Sequence, residues 1–198
     1  MRRVKKLVGQ TVLWLLGWHV EGGAPPHPKC IVVGHPHTSS WDFPLFVMTL
    51  WVMGVQMQWM GKQSLFAGPW GGLFRALGGV PVDRSGGKNT VQAVVELFEQ
   101  HETLMLGIAP SGTRKAGEHW RSGFYHIALA AKVPVVLGSI DFGRRAGRFI
   151  DTVHLTGDVE SDMDKIRAAY EGVEGRNMER QIPIRLAEEL EGHSPQNK

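Results

Sequence analysis

Short apolar runs of strand length, each ending on a polar or glycine-rich loop, alternate along this chain with segments of helical periodicity. No other feature restricts the fold as much. Cys30–Gly34, the alternating Gln56–Met60, Val80–Val82, Thr103–Ala109 and Val133–Ile140 read as strands. Between them, Phe43–Gly54 and Gly123–Lys132 read as helices, as does a short segment opening at Pro69 and closing at Gly78-Gly79. Asn89–His101 carries Val91, Val94, Val95 and Phe98 on one face and Glu96, Glu99 and Gln100 on the other, which predicts an amphipathic helix. Such alternation predicts the α/β class: a single domain with a largely parallel sheet flanked by helices. The length of 198 residues and 42% hydrophobic content suit one domain with a real core. Farther on, Arg148–Leu155 alternates like an edge strand, Ser161–Glu171 reads as a capped helix, Pro183–Leu190 as a terminal helix and His193–Lys198 as a frayed tail.

In a parallel sheet, ligands bind outside the carboxyl ends of the strands. The loops expected there follow Gly34, Gly61, Val82 and Ala109, and they carry His37 with Asp42, Lys62, Arg84 and Arg114. His37 and Asp42 stand five residues apart. That spacing turns a helix by roughly 140° and carries a strand to its opposite face, so the two side chains meet only if Thr38-Ser39-Ser40 folds back and a helix starts near Asp42. A His held by a carboxylate has one ring nitrogen fixed and the other free to take a proton. A polar turn that caps a helix is the other reading of the same residues. No Gly-x-Ser-x-Gly elbow occurs, so the base would act on a hydroxyl of the substrate, and three cations at the same sheet edge suit an anionic substrate such as a phosphate monoester.

The amino terminus is organised differently. Arg2, Arg3, Lys5 and Lys6 precede Leu7–Trp18, whose apolar stretch is far shorter than the ~20 residues of a spanning helix. Residues 1–21 are therefore expected to form a short basic amphipathic helix in the membrane interface, with Trp14 and Trp18 at headgroup depth, and residues 22–198 the globular domain; an ordinary amphipathic helix packed on the domain is the other reading of the same residues. The lone Cys30 lies in an apolar run, which points to a reducing compartment and thus to the cytoplasmic face of a membrane, with peripheral or monotopic attachment. Arg144, Arg145 and Arg148 form a basic group that could face a membrane, an acidic carrier protein or solvent.

Several chemistries are disfavoured. His35 and His37 form a His-x-His pair, but a His-x-His-x-Asp-His metal site needs Asp at 39 and His at 40, and both are Ser, so no metal is expected. Gly86-Gly87-Lys88 lacks the Gly and Ser or Thr of a phosphate loop, having Val82 and Asn89 at those places. With a net charge of +3 and no basic stripe interleaved with aromatics, nucleic acid is not an expected partner.

Four stretches, taken in order, resemble the motifs of the glycerophospholipid acyltransferases, the lysophosphatidic acid acyltransferases among them. The first is His37-Thr38-Ser39-Ser40-Trp41-Asp42, against the family's His, four residues, Asp. The second runs from Lys62 to Arg84 and ends in Gly78-Gly79-Val80-Pro81-Val82-Asp83-Arg84. The third is Ala109-Pro110-Ser111-Gly112-Thr113-Arg114-Lys115, where the family usually reads Phe-Pro-Glu-Gly-Thr-Arg-Ser, and the fourth is the apolar strand Val133-Pro134-Val135-Val136. All four fall within residues 31–140.

The resemblance implies transfer of a fatty acyl group from acyl-CoA or acyl carrier protein, a co-substrate rather than a cofactor, to the hydroxyl of a lysophospholipid acceptor such as 1-acylglycerol-3-phosphate. His37 would be the base, oriented by Asp42, with no covalent acyl-enzyme. Lys62, Arg84 and Arg114 would hold the acceptor phosphate, and Ser111, Gly112 and Thr113 would form the acceptor loop. An acyl chain needs an apolar cleft, for which Phe43, Phe46, Phe66 and Trp70 are candidates. Ser111 departs from the family Glu, and it keeps open a second reading: a membrane-associated lipid-binding protein with lost or altered acyltransferase activity.

Overall fold

The middle of the sheet is built from residues buried on both faces. The structure, a computed structural model, describes residues 2–82, 88–112 and 117–191. Strand β2 (Lys29–Gly34) points Ile31 and Val33 to one face and Cys30 and Val32 to the other, and all four are buried. Around it lie β1 (His19–Glu21), β3 (Gln58–Lys62), β4 (Gly79–Val82), β5 (Leu104–Ile108), β6 (Val135–Asp141) and β7 (Ala146–Val153). The sheet order is β1-β7-β6-β2-β5-β3-β4. Five neighbouring strands from β6 to β4 are parallel, while β7 runs antiparallel to β6 and parallel to β1. The α/β class with a largely parallel sheet is what the sequence predicts.

Helices cover both faces. Helices α5 (Lys88–Gln100), α6 (Gly123–Ala131) and α7 (Val159–Ala169) bury Val94, Phe98, Phe124, Ile127, Met163 and Ile166 against Ile31, Val33, Val135 and Leu137. On the other face α2 (Asp42–Met53) sets Leu45 and Leu50 among Val32, Val136 and Ile140. Helix α1 (Arg2–Leu15) then lies on the outside of α2, with Leu13 buried beside Leu45. Gly9 permits that approach: a Cβ there would sit 2.9 Å from the Met48 carbonyl oxygen and 3.1 Å from Val52 Cγ2. Sandwiched between sheet and α1, α2 has no polar face, which accounts for its uniformly apolar sequence.

The amino terminus differs from expectation. The helix ends at Leu15 instead of running through residue 21, because Gly17 adopts φ +70° and the Trp18 N–H turns back to the Leu13 carbonyl. Trp18 therefore leaves the face of Trp14 and packs edge-on against Phe142, ring centroids 4.9 Å apart, while residues 19–21 become β1. That strand covers β7, so the segment expected at the sheet edge lies one strand in. Pro69 stands in a turn between the short helices α3 (Gln63–Ala67) and α4 (Gly71–Ala76) and does not open a helix. The terminal helix is reduced to α8 (Ala187–Glu191). Arg144 and Arg148 are not a free basic group: Arg144 pairs with Glu21 at 3.0 Å, and Arg148 lies 3.6 Å from Asp141 and 3.8 Å from Glu21.

Candidate active site

The turn between β2 and α2 is closed by one carboxylate oxygen. Asp42 Oδ2 accepts from the backbone N–H of Thr38 at 2.9 Å and of Ser39 at 2.8 Å, and stands 3.3 Å from His37 Nδ1. Ser39 Oγ in turn accepts from the Trp41 N–H at 3.1 Å. These local bonds make residues 38–41 fold back, which brings together two side chains five positions apart. Asp42 is also the first residue of α2, where the helix dipole favours a negative charge. Its side chain is 7% exposed and that of His37 28%, so the carboxylate is fixed within the protein and the ring is open to solvent. With Nδ1 on the carboxylate, Nε2 is the nitrogen left to take a proton. Such a pair is equipped to deprotonate a hydroxyl brought to it and to return the proton to a leaving group.

Its neighbour His35 is a different kind of histidine. The ring is buried 5.1 Å from Trp120 and 5.1 Å from Tyr170, centroid to centroid, with Nε2 3.3 Å from Gln181 Nε2. Burial pushes its pKa down to about 3, so it is neutral near pH 7. Among the described residues no three His, Cys, Asp or Glu side chains gather as a metal site would require. Cys30 is fully buried in β2, and burial pushes its thiol up to about 12, so it offers no thiolate.

Topology brings three of the informative loops to one edge. β2, β5 and β3 are parallel neighbours, so the turn of His37, the loop opening at Ala109 and the end of β3 at Lys62 leave the sheet from the same side. Lys62 is exposed as the last residue of β3. Ser111 and Gly112 follow β5 directly, between the His37 turn and Lys62 in strand order. Ser111 is buried, and its hydroxyl has no hydrogen-bond partner among the described residues. Arg84, Thr113 and Arg114 lie outside the described residues.

The expected cleft residues do not share one wall. Phe43 and Phe66 belong to an aromatic cluster with Trp59 and Phe74, in which Phe43 stands 4.8 Å from Trp59 and Phe66 5.7 Å from Trp59. Phe46 instead packs in the core beneath α2, against the groups that include Val32, Leu50 and Leu45. Trp70 is 67% exposed in the turn before α4.

Sequence reasoning missed two contributions from the chain after α7. The Tyr170 hydroxyl donates to the carbonyls of Val33 at 2.8 Å and Gly138 at 3.1 Å, tying β2 to β6 beneath the turn. Asn177 donates from its backbone N to Thr38 Oγ1 at 3.2 Å and from Nδ2 to the Thr38 carbonyl at 3.0 Å, bracing the turn from outside. Tyr170 falls within the expected helix Ser161–Glu171 as one more apolar position, and residues 172–182 carry no periodicity, so nothing in the sequence marks either residue as part of the site.

The family model for acyltransferases matches residues 19–139, more than half of the chain, from β1 into β6, including the His37 turn and the loop after β5. No curated protein sequence matches the chain. Among solved structures, the crystal structure of the 1-acyl-sn-glycerophosphate acyltransferase PlsC from Thermotoga maritima superposes with a TM-score of 0.57 at 22% identity, covering 87% of this chain and 76% of that one. At that identity the likeness is one of fold. The family match over the strands and turns that carry the His37–Asp42 pair leads to one conclusion: the chain belongs to the acyltransferase family.

Proposed function

We propose that this acyltransferase moves a fatty acyl group from a thioester, acyl-CoA or acyl carrier protein, to the hydroxyl of a lysophospholipid acceptor such as 1-acylglycerol-3-phosphate, at a membrane surface. The observation that carries the reading is the contact of His37 Nδ1 with a buried carboxylate that two backbone amides already hold in position. His37 Nε2 takes the proton of the acceptor hydroxyl as its oxygen attacks the thioester carbonyl. The tetrahedral intermediate then collapses, the C–S bond breaks, and the imidazolium returns the proton to the departing thiolate. Asp42 stabilises the imidazolium in between. Lys62, Arg84 and Arg114 hold the acceptor phosphate in this scheme, a role supported by family resemblance and, for Lys62, by its strand-end position on the same sheet edge.

Membrane attachment rests on α1. Val4, Leu7, Val8, Trp14 and Leu15 are all exposed and recur at helical spacing on the side opposite Gly9 and Leu13. Arg2, Arg3, Lys5 and Lys6 occupy its first turns, each worth about 1 kcal/mol beside anionic lipid. No described helix is long and apolar enough to cross a membrane. The same apolar stripe, with Ser111 in the place of the family Glu, also fits a lipid-binding protein without turnover. Incubation with palmitoyl-CoA and lysophosphatidic acid on anionic vesicles separates the two: phosphatidic acid formed only when donor and acceptor are both present supports transfer, and vesicle binding without product for any lysolipid supports the second reading.

A further inference from the structure

The turn at Gly175–Asn177 is seated directly on the His37 turn. A Cβ at Gly175 would stand 2.8 Å from Thr38 Oγ1 and 3.1 Å from Pro36 Cβ, so only glycine lets the chain come this close. Asn177 binds Thr38 from the other side, through the two hydrogen bonds described above. Arg176 thus projects from a backbone anchored on both flanks to residues beside His37. Its guanidinium lies over the Trp41 ring, 5.6 Å from the centroid. Among the described residues no carboxylate pairs with Arg176, as is also true of Arg75, Arg121, Arg145 and Arg185, so the Trp41 ring is the contact that places its guanidinium.

Arg176 and Trp41 also line a surface cavity of about 160 Å³ with Leu16, Trp18, Leu45 and Phe142. Five of those six side chains are apolar and the sixth is the cation, the distribution that suits the head and upper chain of a phospholipid. The cavity opens where α1 ends, and Leu16, itself exposed, lines it one residue past the helix, on the side that Leu13 packs against Leu45. At the opposite end of α1, about 20 Å away along its 14 residues, stand the basic residues of its first turns.

We propose that Arg176, Trp41 and this cavity form a binding site for an anionic membrane phospholipid, with the phosphate on Arg176 and the upper chain against Leu16, Trp18, Leu45 and Phe142. The inference rests on the membrane reading of α1 given above and adds a second contact to it. Arg at headgroup depth with its partner Trp is the arrangement that bilayer interfaces favour. Cationic contacts at the two ends of α1 fix the in-plane orientation of the protein. The contact at α1's far end alone would leave the His37 turn free to swing away from the lipid. With Arg176 seated, that turn faces the bilayer from which a lysolipid arrives.

The test is co-sedimentation of the full chain with phosphatidylglycerol vesicles and with phosphatidylcholine vesicles. Arg176→Ala weakens partition onto phosphatidylglycerol about fivefold and leaves phosphatidylcholine binding unchanged, as expected for loss of one cation at the surface. Arg180→Ala, a nearby exposed arginine outside the cavity, changes neither by as much as twofold. Equal losses in the two variants would reduce the effect to general surface charge and overturn the site, as would no loss for Arg176→Ala. Trp14→Ser reports on α1 separately: unchanged binding to both vesicles refutes the membrane reading itself, and weakened binding with Arg176→Ala unaffected refutes only the present inference. A short-chain lysophosphatidic acid below its micelle concentration, assayed without vesicles, distinguishes the source of the phosphate. An unchanged acceptor KM in Arg176→Ala supports a bilayer lipid, and a tenfold rise would assign Arg176 to the acceptor and overturn the bilayer site.

Discussion

Replacing Asp42 by Asn separates two tasks that one carboxylate oxygen performs. In the wild-type chain Asp42 Oδ2 closes the turn by accepting from Thr38 and Ser39 at 2.9 and 2.8 Å, and also faces His37 Nδ1 at 3.3 Å. An amide oxygen still accepts from both backbone N–H groups, but as a neutral acceptor. Hydrogen bonds to charged groups contribute about 1.5–3 kcal/mol and neutral ones about 0.5–1.5, so the two bonds lose about 2 kcal/mol together. A domain with ~5–15 kcal/mol of stability remains folded, with Tm lowered by about 4–8 °C. The catalytic loss is far larger. An amide neither fixes the tautomer of His37 nor stabilises its imidazolium, and where a carboxylate has that role its loss lowers turnover by on the order of 10⁴. The assay is thiol release at saturating donor and acceptor, paired with a thermal melt of the same sample. A variant that melts as predicted yet keeps kcat within about tenfold of wild type would show that Asp42 only closes the turn, and the base-orienting role would be lost.

Other outcomes follow from the neighbours of that turn. His35 has a folded pKa of about 3 against an ordinary value of 6.5, so the unfolded chain takes up a proton first as pH falls. The folded state therefore loses stability between pH 6.5 and 3, by about 2 kcal/mol at pH 5, while above pH 6.5 the contribution is fully present. Urea unfolding at pH 7.5 and pH 5 should show that loss in the wild type and a smaller one in His35→Gln; equal losses would remove His35 as its source. Ser111→Ala deletes a buried hydroxyl that has no partner among the described residues, so stability should stay within about 0.5 kcal/mol. If that hydroxyl serves the acceptor phosphate, the acceptor KM rises about tenfold, and an unchanged KM would exclude the role.

The parts of this molecule that local pattern dictates were legible in the chain itself. Runs such as Cys30–Gly34 and Val133–Ile140 carry no polar side chain except Ser139 because β2 and β6 are buried on both faces, and no other environment suits them as well. His37 and Asp42 were legible for a similar reason: the carboxylate acts on groups three to five residues away, within one turn. What failed was set by distant partners. β1 is only three residues long and exists because β7 offers it an edge. Trp18 reads as one face of a helix until Phe142, far along the chain, takes it. Arg144 and Arg148 read as a free basic group until Glu21 and Asp141 neutralise them. Arg176 and Asn177 stand in a stretch with no period, and their meaning comes wholly from Thr38 and Trp41.

The central claim, that His37 is the base which activates an acceptor hydroxyl, is tested most directly by thiol release from palmitoyl-CoA with and without lysophosphatidic acid, in wild type and His37→Ala. The account predicts release that depends on acceptor in the wild type, one thiol for each phosphatidic acid formed, and a fall of about 10²–10⁴ or more in the variant. Acceptor-dependent release by His37→Ala within a few-fold of wild type would contradict it.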